Sequence, residues 1–433
     1  MEQGVHKLKE QALHINGTTL YSLTNTHLNT FCVAVYARAG SIYETDENNG
    51  ISHLLEHVIF RNINRKYNGR FYDLLAENGL QFSGSTYKEF LCFSIDGPSF
   101  GFAFACEALC SIFEPIALST QELEEEKRRI KAEIREKGER YTLRYLHSKK
   151  VWQGTNGERR ILGSCKILDR ISRKTLENER RKIFSGDNCF FYVTGCATDS
   201  DMGMLRERIA ALDINQQPLS RSNMIHGEGA FCERDSALTV RDGYACEICL
   251  GFDTSPQNYS GGIYDVIYQI LFARDNALLF QQLSEKDPLL YSYDATYEQY
   301  DNAGCMVLAF EIPVDKLEEA LSRVVEVLWD LKCGKFNLKA NLNYELANWT
   351  RLLDAPEDLN WNLAYYNHIL ATTPVQYEKE LFGRLADVTR EKIMQAAQNI
   401  FARKNLTVCL EGPKRKIKTE HLNEILGRLD MKA

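Results

Sequence analysis

The residues with the clearest chemical signature form the pentapeptide His53-Leu54-Leu55-Glu56-His57. Residues four apart on an α-helix project from one face, one turn above the other, so two imidazoles can reach one metal ion at about 2.0–2.1 Å. Glu56 is adjacent to His57, and its carboxylate can flank the same ion without binding it. There it can accept a proton from water whose pKa the metal has lowered toward about 7. The spacing therefore predicts a metal site with its own general base.

A polar, solvent-exposed helix face would also explain these three polar residues. The surrounding sequence, ISHLLEHVIF, is however mostly apolar and has helical periodicity. A largely buried helix is expected, and polar groups on such a helix need partners. The context therefore favours metal binding over a solvated surface.

A third ligand must come from another element, with one coordination position left open for water. The acidic segment QELEEEKRRIKAEIREKGER offers several glutamates. Glu126 and Glu133 are two helical turns apart and share a face with Ile130. Spacing alone does not choose between Glu126, Glu133 and Glu136. A purely structural metal site is disfavoured, because three ligands and a base leave an open position.

The elements that must position these residues indicate an α+β fold. TTLYSLTN and NTFCVAVYARAGS are strand-like, and LQFSGSTYKEFLCFSID reads as a strand with its hairpin partner. Helices are predicted from Ile51, over residues 70–77 and from Thr120, and NCFFYVTG follows as a buried strand. A loop-rich stretch containing WQGTNGERRILGS separates the helix that begins at Thr120 from this strand.

The second half of the chain repeats this order, from ALTVRD and ACEICLGF to the late strand NLTVCLEG. We therefore predict two structurally repeated domains, each a mixed or antiparallel sheet packed with helices like an α/β sandwich. Residues 1–214 would form the metal-binding domain and residues 226–433 its homologue, joined by a linker at residues 215–225.

Composition narrows the class of protein. Of 433 residues, 44% are hydrophobic and 26% charged, and the net charge of −7 argues against a nucleic-acid partner. The sequence shows neither an apolar run long enough to span a bilayer nor an N-terminal secretory signal, so a cytoplasmic protein without a membrane partner is expected. Thirteen scattered cysteines suit free thiols rather than disulfides. The pair Cys246 and Cys249 is interpreted as structural.

The segment AGSIYETDENNGISHLLEHVIFRN resembles the pitrilysin/insulinase family of zinc peptidases, which are inverzincins. The third zinc ligand of that family is a glutamate 76 residues beyond the second histidine, and this position is Glu133. Another family glutamate, seven residues earlier, falls on Glu126 and implies a supporting role in the catalytic site. GERRILGS, NCFFYVTG and the chain length are also similar to small members with two repeated domains.

The resemblance implies a clamshell of two halves around a chamber, with zinc on the N-terminal half. The substrate peptide would add as a strand to a sheet edge, and residues 82–87 occupy the matching position. The family often has Asn where this chain has Ser83, so side-chain contacts with substrate would differ there.

In its C-terminal half the family carries an Arg and, seven residues later, a Tyr that hold the substrate near zinc. Tyr291 matches the Tyr, whereas Ser284 stands in place of the Arg and lacks its bidentate charge. Two explanations remain open. A related partner subunit would supply the missing element, or another donor of this chain, Tyr293 or Arg274, would replace it.

These observations predict a zinc-dependent endopeptidase that acts on short or unfolded peptides, with removal of a leader peptide as one specialisation. His53, His57 and Glu133 would bind Zn²⁺, Glu56 would activate water, and Tyr291 would help to stabilise the tetrahedral intermediate. The alternative is a non-catalytic or partner-dependent subunit of a heteromeric peptidase. Retention of all three ligands and the base counts against loss of activity. A homodimer or a heterodimer with a related subunit is expected.

Overall fold

The computed structural model describes residues 10–136, 142–216, 223–227, 238–254, 261–370, 385 and 388–431. The chain forms two compact units that exchange segments. The first unit contains residues 1–137, 159–223 and 350–379, and the second contains residues 138–158, 224–349 and 380–433. Each unit therefore includes a segment from the other half of the sequence. Most of the predicted linker, residues 217–222, lies outside the described residues.

Each unit is built on one mixed sheet. The strands of the first are β1 (Gln11–Ile15), β2 (Thr18–Thr24), β3 (Thr30–Ala37), β4 (Gln81–Thr86), β5 (Leu91–Pro98) and β6 (Cys189–Gly195). Those of the second are β7 (Leu238–Asp242), β8 (Glu247–Thr254), β9 (Ser292–Gln299), β10 (Gly304–Glu311) and β11 (Leu406–Gly412).

The strand orders show that the two units share one topology. The first sheet runs β1-β2-β6-β3-β5-β4 and the second runs β7-β11-β8-β10-β9. In each sheet the last strand in sequence pairs in parallel with an early strand: β6 with β2 in the first sheet and β11 with β7 in the second. All other neighbouring strands are antiparallel. The predicted α+β fold with two repeated units is confirmed.

Helices surround these sheets. Those of the first half are α1 (Ile51–Lys66), α2 (Phe71–Glu77), α3 (Phe102–Cys110), α4 (Thr120–Glu136), α5 (Leu143–Val151), α6 (Cys165–Leu168), α7 (Arg173–Ile183) and α8 (Asp199–Ala210). Those of the second half are α9 (Gly261–Leu271), α10 (Leu278–Phe280), α11 (Leu317–Lys332), α12 (Leu338–Leu352), α13 (Pro356–Ala364), α14 (Arg390–Ile400) and α15 (Thr419–Gly427). Among the described residues, no helix is both long and apolar enough to cross a membrane.

Both faces of the first sheet are covered, which explains why β3 is apolar along its whole length. Val33 and Val35 on one face pack in the core shared with α1, α3 and α4. Ala34 and Tyr36 on the other face pack against α13, which comes from the second half of the sequence. Buried Asn360 of α13 accepts a hydrogen bond of 2.9 Å from the hydroxyl of Tyr36. The exchanged segment is thus part of the core of the first unit.

The corresponding exchange in the second unit corrects one expectation. No helix was predicted between the helix that begins at Thr120 and the loop-rich segment WQGTNGERRILGS, but α5 lies there. Its buried Leu143 packs on the second sheet with Cys249, Ala309 and Cys409. Cys246 packs in the separate, larger core of this unit. Every cysteine within the described ranges is free, and burial raises the pKa of the Cys249 thiol to about 12. The geometry agrees with a structural role for this pair.

Candidate metal centre

Apolar residues at helical spacing anchor α1 to the core of the first unit. Leu54, Leu55 and Val58 are fully buried beneath the sheet. The same periodicity directs His53 and His57 to one edge of the helix, where their rings lie 4.8 Å apart between centroids. His53 is only 8% exposed. The predicted pair of imidazoles is therefore held side by side on a rigid, buried element.

A buried glutamate that sequence reasoning missed closes the first turn of α1. Glu44 accepts hydrogen bonds from the backbone N–H groups of Gly50 at 2.7 Å and Ser52 at 2.9 Å, and from the side-chain amide of Asn49 at 2.8 Å. Burial raises the pKa of Glu44, and the hydrogen bonds from these donors offset only part of this effect, so the net shift is upward. The start of a helix leaves N–H groups unpaired, and Glu44 satisfies two of them. The acidic, Asn-rich turn before the helix was the available signal.

Helix α4 brings the third donor to the histidines. Ile130 and Ile134 are buried in the core and orient the helix. Glu133 Oε2 lies 3.3 Å from Nε2 of His53 and 3.9 Å from Nε2 of His57. One ligand atom from each of these three residues lies within 4.8 Å of the others.

The geometry distinguishes Glu126, Glu133 and Glu136, the three candidates for the third ligand between which spacing could not choose. Glu133 belongs to the cluster with His53 and His57. Glu136 is exposed one turn further along α4, and Glu126 contacts the far side of His57. Among these three glutamates, only Glu133 reaches the position where both imidazole Nε2 atoms converge.

The cluster fits a tetrahedral cation such as zinc. With metal–ligand bonds of about 2.0–2.1 Å, tetrahedral ligands lie about 3.3–3.5 Å apart, close to the observed 3.3 and 3.9 Å. Burial lowers the pKa of His53, but Glu56 and Glu133 outweigh it, and the net shift is upward. Nδ1 of His53 is buried without a hydrogen-bond partner. The site is thus rich in negative charge, and its two imidazoles and one carboxylate are the types of ligand that zinc binds.

Glu56 lies beside the cluster without belonging to it. Its Oε2 accepts a hydrogen bond of 2.5 Å from the hydroxyl of Thr86 and lies 3.6 Å from Nδ1 of His53. Burial raises the pKa of Glu56, but His53 and Thr86 outweigh this effect, so the pKa is lowered. A carboxylate in this position is charged near neutral pH and is available to accept a proton.

Glu126 supports the cluster from behind. It is 1% exposed, and its Oε2 lies 3.5 Å from Nδ1 of His57. Its Oε1 accepts a hydrogen bond of 2.8 Å from Arg61, which also binds Glu125 at 2.5 Å. Burial raises the pKa of Glu126, but hydrogen bonds with His57 and Arg61 lower it by more, so the net shift is downward. Glu126 thus lies behind His57 on the side of Nδ1, where its carboxylate is shared between His57 and Arg61.

The sheet edge next to the cluster is unpaired in the described residues. β4 is the last strand of the first sheet and pairs only with β5. Thr86 at its end contacts Glu56. Gly84 allows α1 to approach, since a Cβ there would lie 2.4 Å from the ring of Phe60. The strand predicted to receive substrate thus runs directly past the metal helix.

The remaining predicted residues lie in the second unit. Tyr291 precedes β9 and is 73% exposed, and Ser284 lies in a short π-helix at Gln281–Glu285. The guanidinium of Arg274 donates to Asn341 at 2.5 Å and lies over the ring of Tyr344. None of the predicted residues of this unit belongs to the His53–His57–Glu133 cluster.

Two α+β units of one topology, with an H-x-x-E-H helix and a distant glutamate in the first, define the inverzincin class. A family model described as insulinase (peptidase family M16) matches residues 21–164, and one described as peptidase M16 inactive domain matches residues 170–339. The chain belongs to the insulinase family of peptidases, family M16. The resemblance drawn from the metal helix is confirmed.

Individual relatives are distant. The chain is 22% identical to an uncharacterized zinc protease, YmxG, of Bacillus subtilis over 73% of this chain and 77% of that protein. It is 25% identical to the mitochondrial-processing peptidase subunit beta of Dictyostelium discoideum over 42% of this chain and 40% of that protein. The structure of a protease from Helicobacter pylori superposes with a TM-score of 0.82 at 15% identity, covering 94% of this chain and all of that one. This structural likeness supports the fold.

Proposed function

We propose that the protein is a zinc-dependent endopeptidase of the cytoplasm that hydrolyses peptide bonds in short or unfolded peptides. The observation that carries the proposal is the position of Glu56. Its carboxylate lies beside the three-donor cluster of His53, His57 and Glu133 but outside it. Three ligands with an adjacent unliganded carboxylate are the composition of a catalytic rather than a structural metal site.

The roles of the residues follow from their contacts. His53, His57 and Glu133 would hold the zinc ion, which when bound acts as a Lewis acid and lowers the pKa of water. Glu56 would accept a proton from the attacking water and later deliver it to the leaving amine. The hydrogen bond from Thr86 keeps the Glu56 carboxylate oriented toward the cluster.

The free edge of β4 supports binding of substrate as an added strand. An extended peptide that pairs with this edge would run past Thr86, which contacts Glu56. Recognition through backbone hydrogen bonds requires an extended segment, so folded domains would be poor substrates. Removal of a leader from a short peptide precursor is a specialisation consistent with this requirement.

Dependence on a related partner subunit is a second candidate, and the surroundings of Arg274 favour it. This guanidinium is engaged by Asn341 and Tyr344 within its own unit, and the hydroxyl of Tyr293 lies 3.4 Å from the carbonyl of Phe272. Both replacements for the arginine missing at Ser284 therefore already have partners. A heterodimer in which the partner supplies this element is the consequence we propose.

Cleavage of a quenched random-peptide library by the purified chain alone tests both proposals. Bound zinc is quantified in parallel, and the Glu56→Gln variant is the control. Turnover that disappears in Glu56→Gln, with about one zinc per chain, supports a self-sufficient peptidase. Zinc without turnover favours the partner-dependent form, and turnover that persists in Glu56→Gln contradicts the mechanism.

A further inference from the structure

A loop from later in the chain, residues 160–163, lies against the first turn of the metal helix α1. The carbonyl of Arg160 accepts a hydrogen bond of 2.8 Å from the side-chain amide of Asn49, which also contacts Glu44. Leu162 of this loop is buried in the core of the first unit. The start of α1 is thus held from two sides, by Glu44 and by the loop.

Two glycines make this close packing possible. Gly50, directly before α1, has a φ of 97°, and Gly163 of the loop has a φ of 63°. Glycine adopts this left-handed region without steric cost. A Cβ on Gly163 would lie 2.2 Å from the carbonyl oxygen of Asn49 and 2.8 Å from Cα of Gly50. The two stretches of backbone are therefore in direct contact, and no side chain fits between them.

This contact lies within one helical turn of a metal ligand. The backbone N–H of Leu54 donates to the carbonyl of Gly50 at 3.0 Å, which closes the first turn of α1 around His53. The imidazole of His53 in turn lies 3.3 Å from the carboxylate of Glu133 on α4. A displacement of Gly50 would therefore move His53 relative to Glu133.

The same stretch of chain also reaches the second helix that carries a ligand. After Gly163 the chain enters α6, which contacts α4. Leu168 at the end of α6 is fully buried in the core of the first unit, and Asp169 forms an ion pair with Lys131 of α4. Residues 160–169 therefore contact both helices whose separation sets the geometry of the cluster.

We propose that Gly163 is a positioning residue for the metal centre. Because it has no side chain, the loop packs directly on the backbone of Gly50, and this contact fixes where α1 begins. The position of His53 beside Glu133 depends on that starting point. The inference rests on the proposed function only in that the cluster binds zinc, and it does not require that the protein cleaves a peptide.

A requirement for glycine that concerns only its own backbone must be separated from this role. Any side chain is disfavoured at positive φ, so Gly163→Ala strains the backbone even without a collision. Gly69, which follows α1, has a φ of 80°. A Cβ there would meet no atom of the described residues within 4 Å. Gly69→Ala is therefore a matched control that introduces the same kind of strain without the collision.

The experiment measures metal binding and stability separately. Zinc affinity is determined by competition with a chromophoric chelator, the visible absorption of bound Co²⁺ reports the ligand geometry, and urea unfolding of the metal-free proteins reports stability. We expect Gly163→Ala to weaken zinc binding by about 10–100-fold, the range typical of groups that orient metal ligands, and to change the Co²⁺ spectrum. Gly69→Ala should change neither, even if it lowers stability. Equal zinc affinities of the two variants, or an unchanged Co²⁺ spectrum in Gly163→Ala, overturn the proposal.

A second variant covers the case in which Gly163→Ala does not fold. Asn49→Ala removes the hydrogen bond to the carbonyl of Arg160 and adds no atom, so zinc binding should weaken by a smaller factor and the Co²⁺ spectrum should change. In that case a zinc affinity and a Co²⁺ spectrum equal to those of wild type overturn the proposal. Variants that behave as expected while wild-type protein cleaves no peptide support the role of Gly163 and contradict the self-sufficient peptidase. Wild-type protein that binds no zinc contradicts both.

Discussion

Nδ1 of His57 lies 3.5 Å from Oε2 of Glu126, while Nε2 of the same ring lies 3.9 Å from Glu133. The imidazole is thus held between a buried carboxylate and the position proposed for the metal. A carboxylate behind a ligating histidine selects the tautomer and raises the basicity of the ligand. Arg61 in turn fixes Glu126 at 2.8 Å. The orientation of the His57 imidazole thus depends on two residues that lie outside the His53–His57–Glu133 cluster.

Glu126→Gln is therefore expected to weaken zinc binding without removing a ligand. Loss of the carboxylate behind a ligating histidine typically costs about 10–100-fold in affinity, and competition with a chromophoric chelator measures the change. Glu125→Gln is the matched control, since Glu125 contacts the same Arg61 but not His57. Equal affinities of the two variants would exclude a positioning role for Glu126.

Glu133→Ala should weaken metal binding more strongly, because it removes a ligand. Glu136→Ala, an exposed position one turn away on α4, should leave zinc content unchanged. Metal quantification after dialysis against a weak chelator compares the two. A similar zinc content in both variants would contradict the assignment of Glu133.

Glu56→Gln should retain zinc, because Glu56 lies outside the donor cluster. The amide cannot accept the proton of the attacking water, so the turnover of any cleaved peptide should fall by about 10²–10⁴-fold. Zinc content and kcat are measured on the same preparation. Loss of zinc together with activity would instead indicate that Glu56 is a ligand.

Glu44→Ala should destabilise the first unit by about 1–3 kcal/mol, the cost of leaving buried donors unpaired. The two backbone N–H groups at the start of α1 would lose their acceptor. Urea unfolding measures the difference, and Glu47→Ala, at an exposed position in the same turn, is the control. Equal midpoints for the two variants would refute the capping role.

Asp96 should make stability depend on pH. Burial and the nearby charge of Glu357 raise its pKa to about 6 in the folded protein, against about 3.9 in an unfolded chain. Below about pH 3.9 the carboxyl is neutral in both states and does not change the free energy of unfolding with pH. As pH rises from about 3.9 to about 6, the unfolded chain loses this proton first, so the free energy of unfolding falls. Asp96→Asn should therefore raise Tm relative to wild type above pH 6 and not near pH 4.

Thermal unfolding between pH 4 and pH 8 tests this dependence. Exposed Asp187→Asn is the control, and its difference from wild type should not follow the same profile. A Tm difference for Asp96→Asn that does not change with pH would show that burial of this carboxyl has no thermodynamic consequence.

Local spacing was sufficient to predict the metal helix. Apolar residues at helical intervals and two histidines one turn apart determine both that α1 forms and that its imidazoles share a face. The strand-like alternation likewise predicted the element order of both units. The choice of Glu133 came from resemblance, because a helix with many glutamates does not reveal which one faces a residue 76 positions away.

Tertiary structure decided what depends on distant contacts. A cap such as Glu44 is one acidic residue among many, and only packing shows that it is buried. Glu126 was singled out by resemblance, but only packing shows that it contacts His57. The exchanged segments were also invisible, because a contiguous division at residues 215–225 assumes that neighbours in sequence remain neighbours in space. Periodicity shows which face of a helix or strand is apolar. The element that packs on that face depends on contacts between residues that are distant in sequence, which local patterns do not contain.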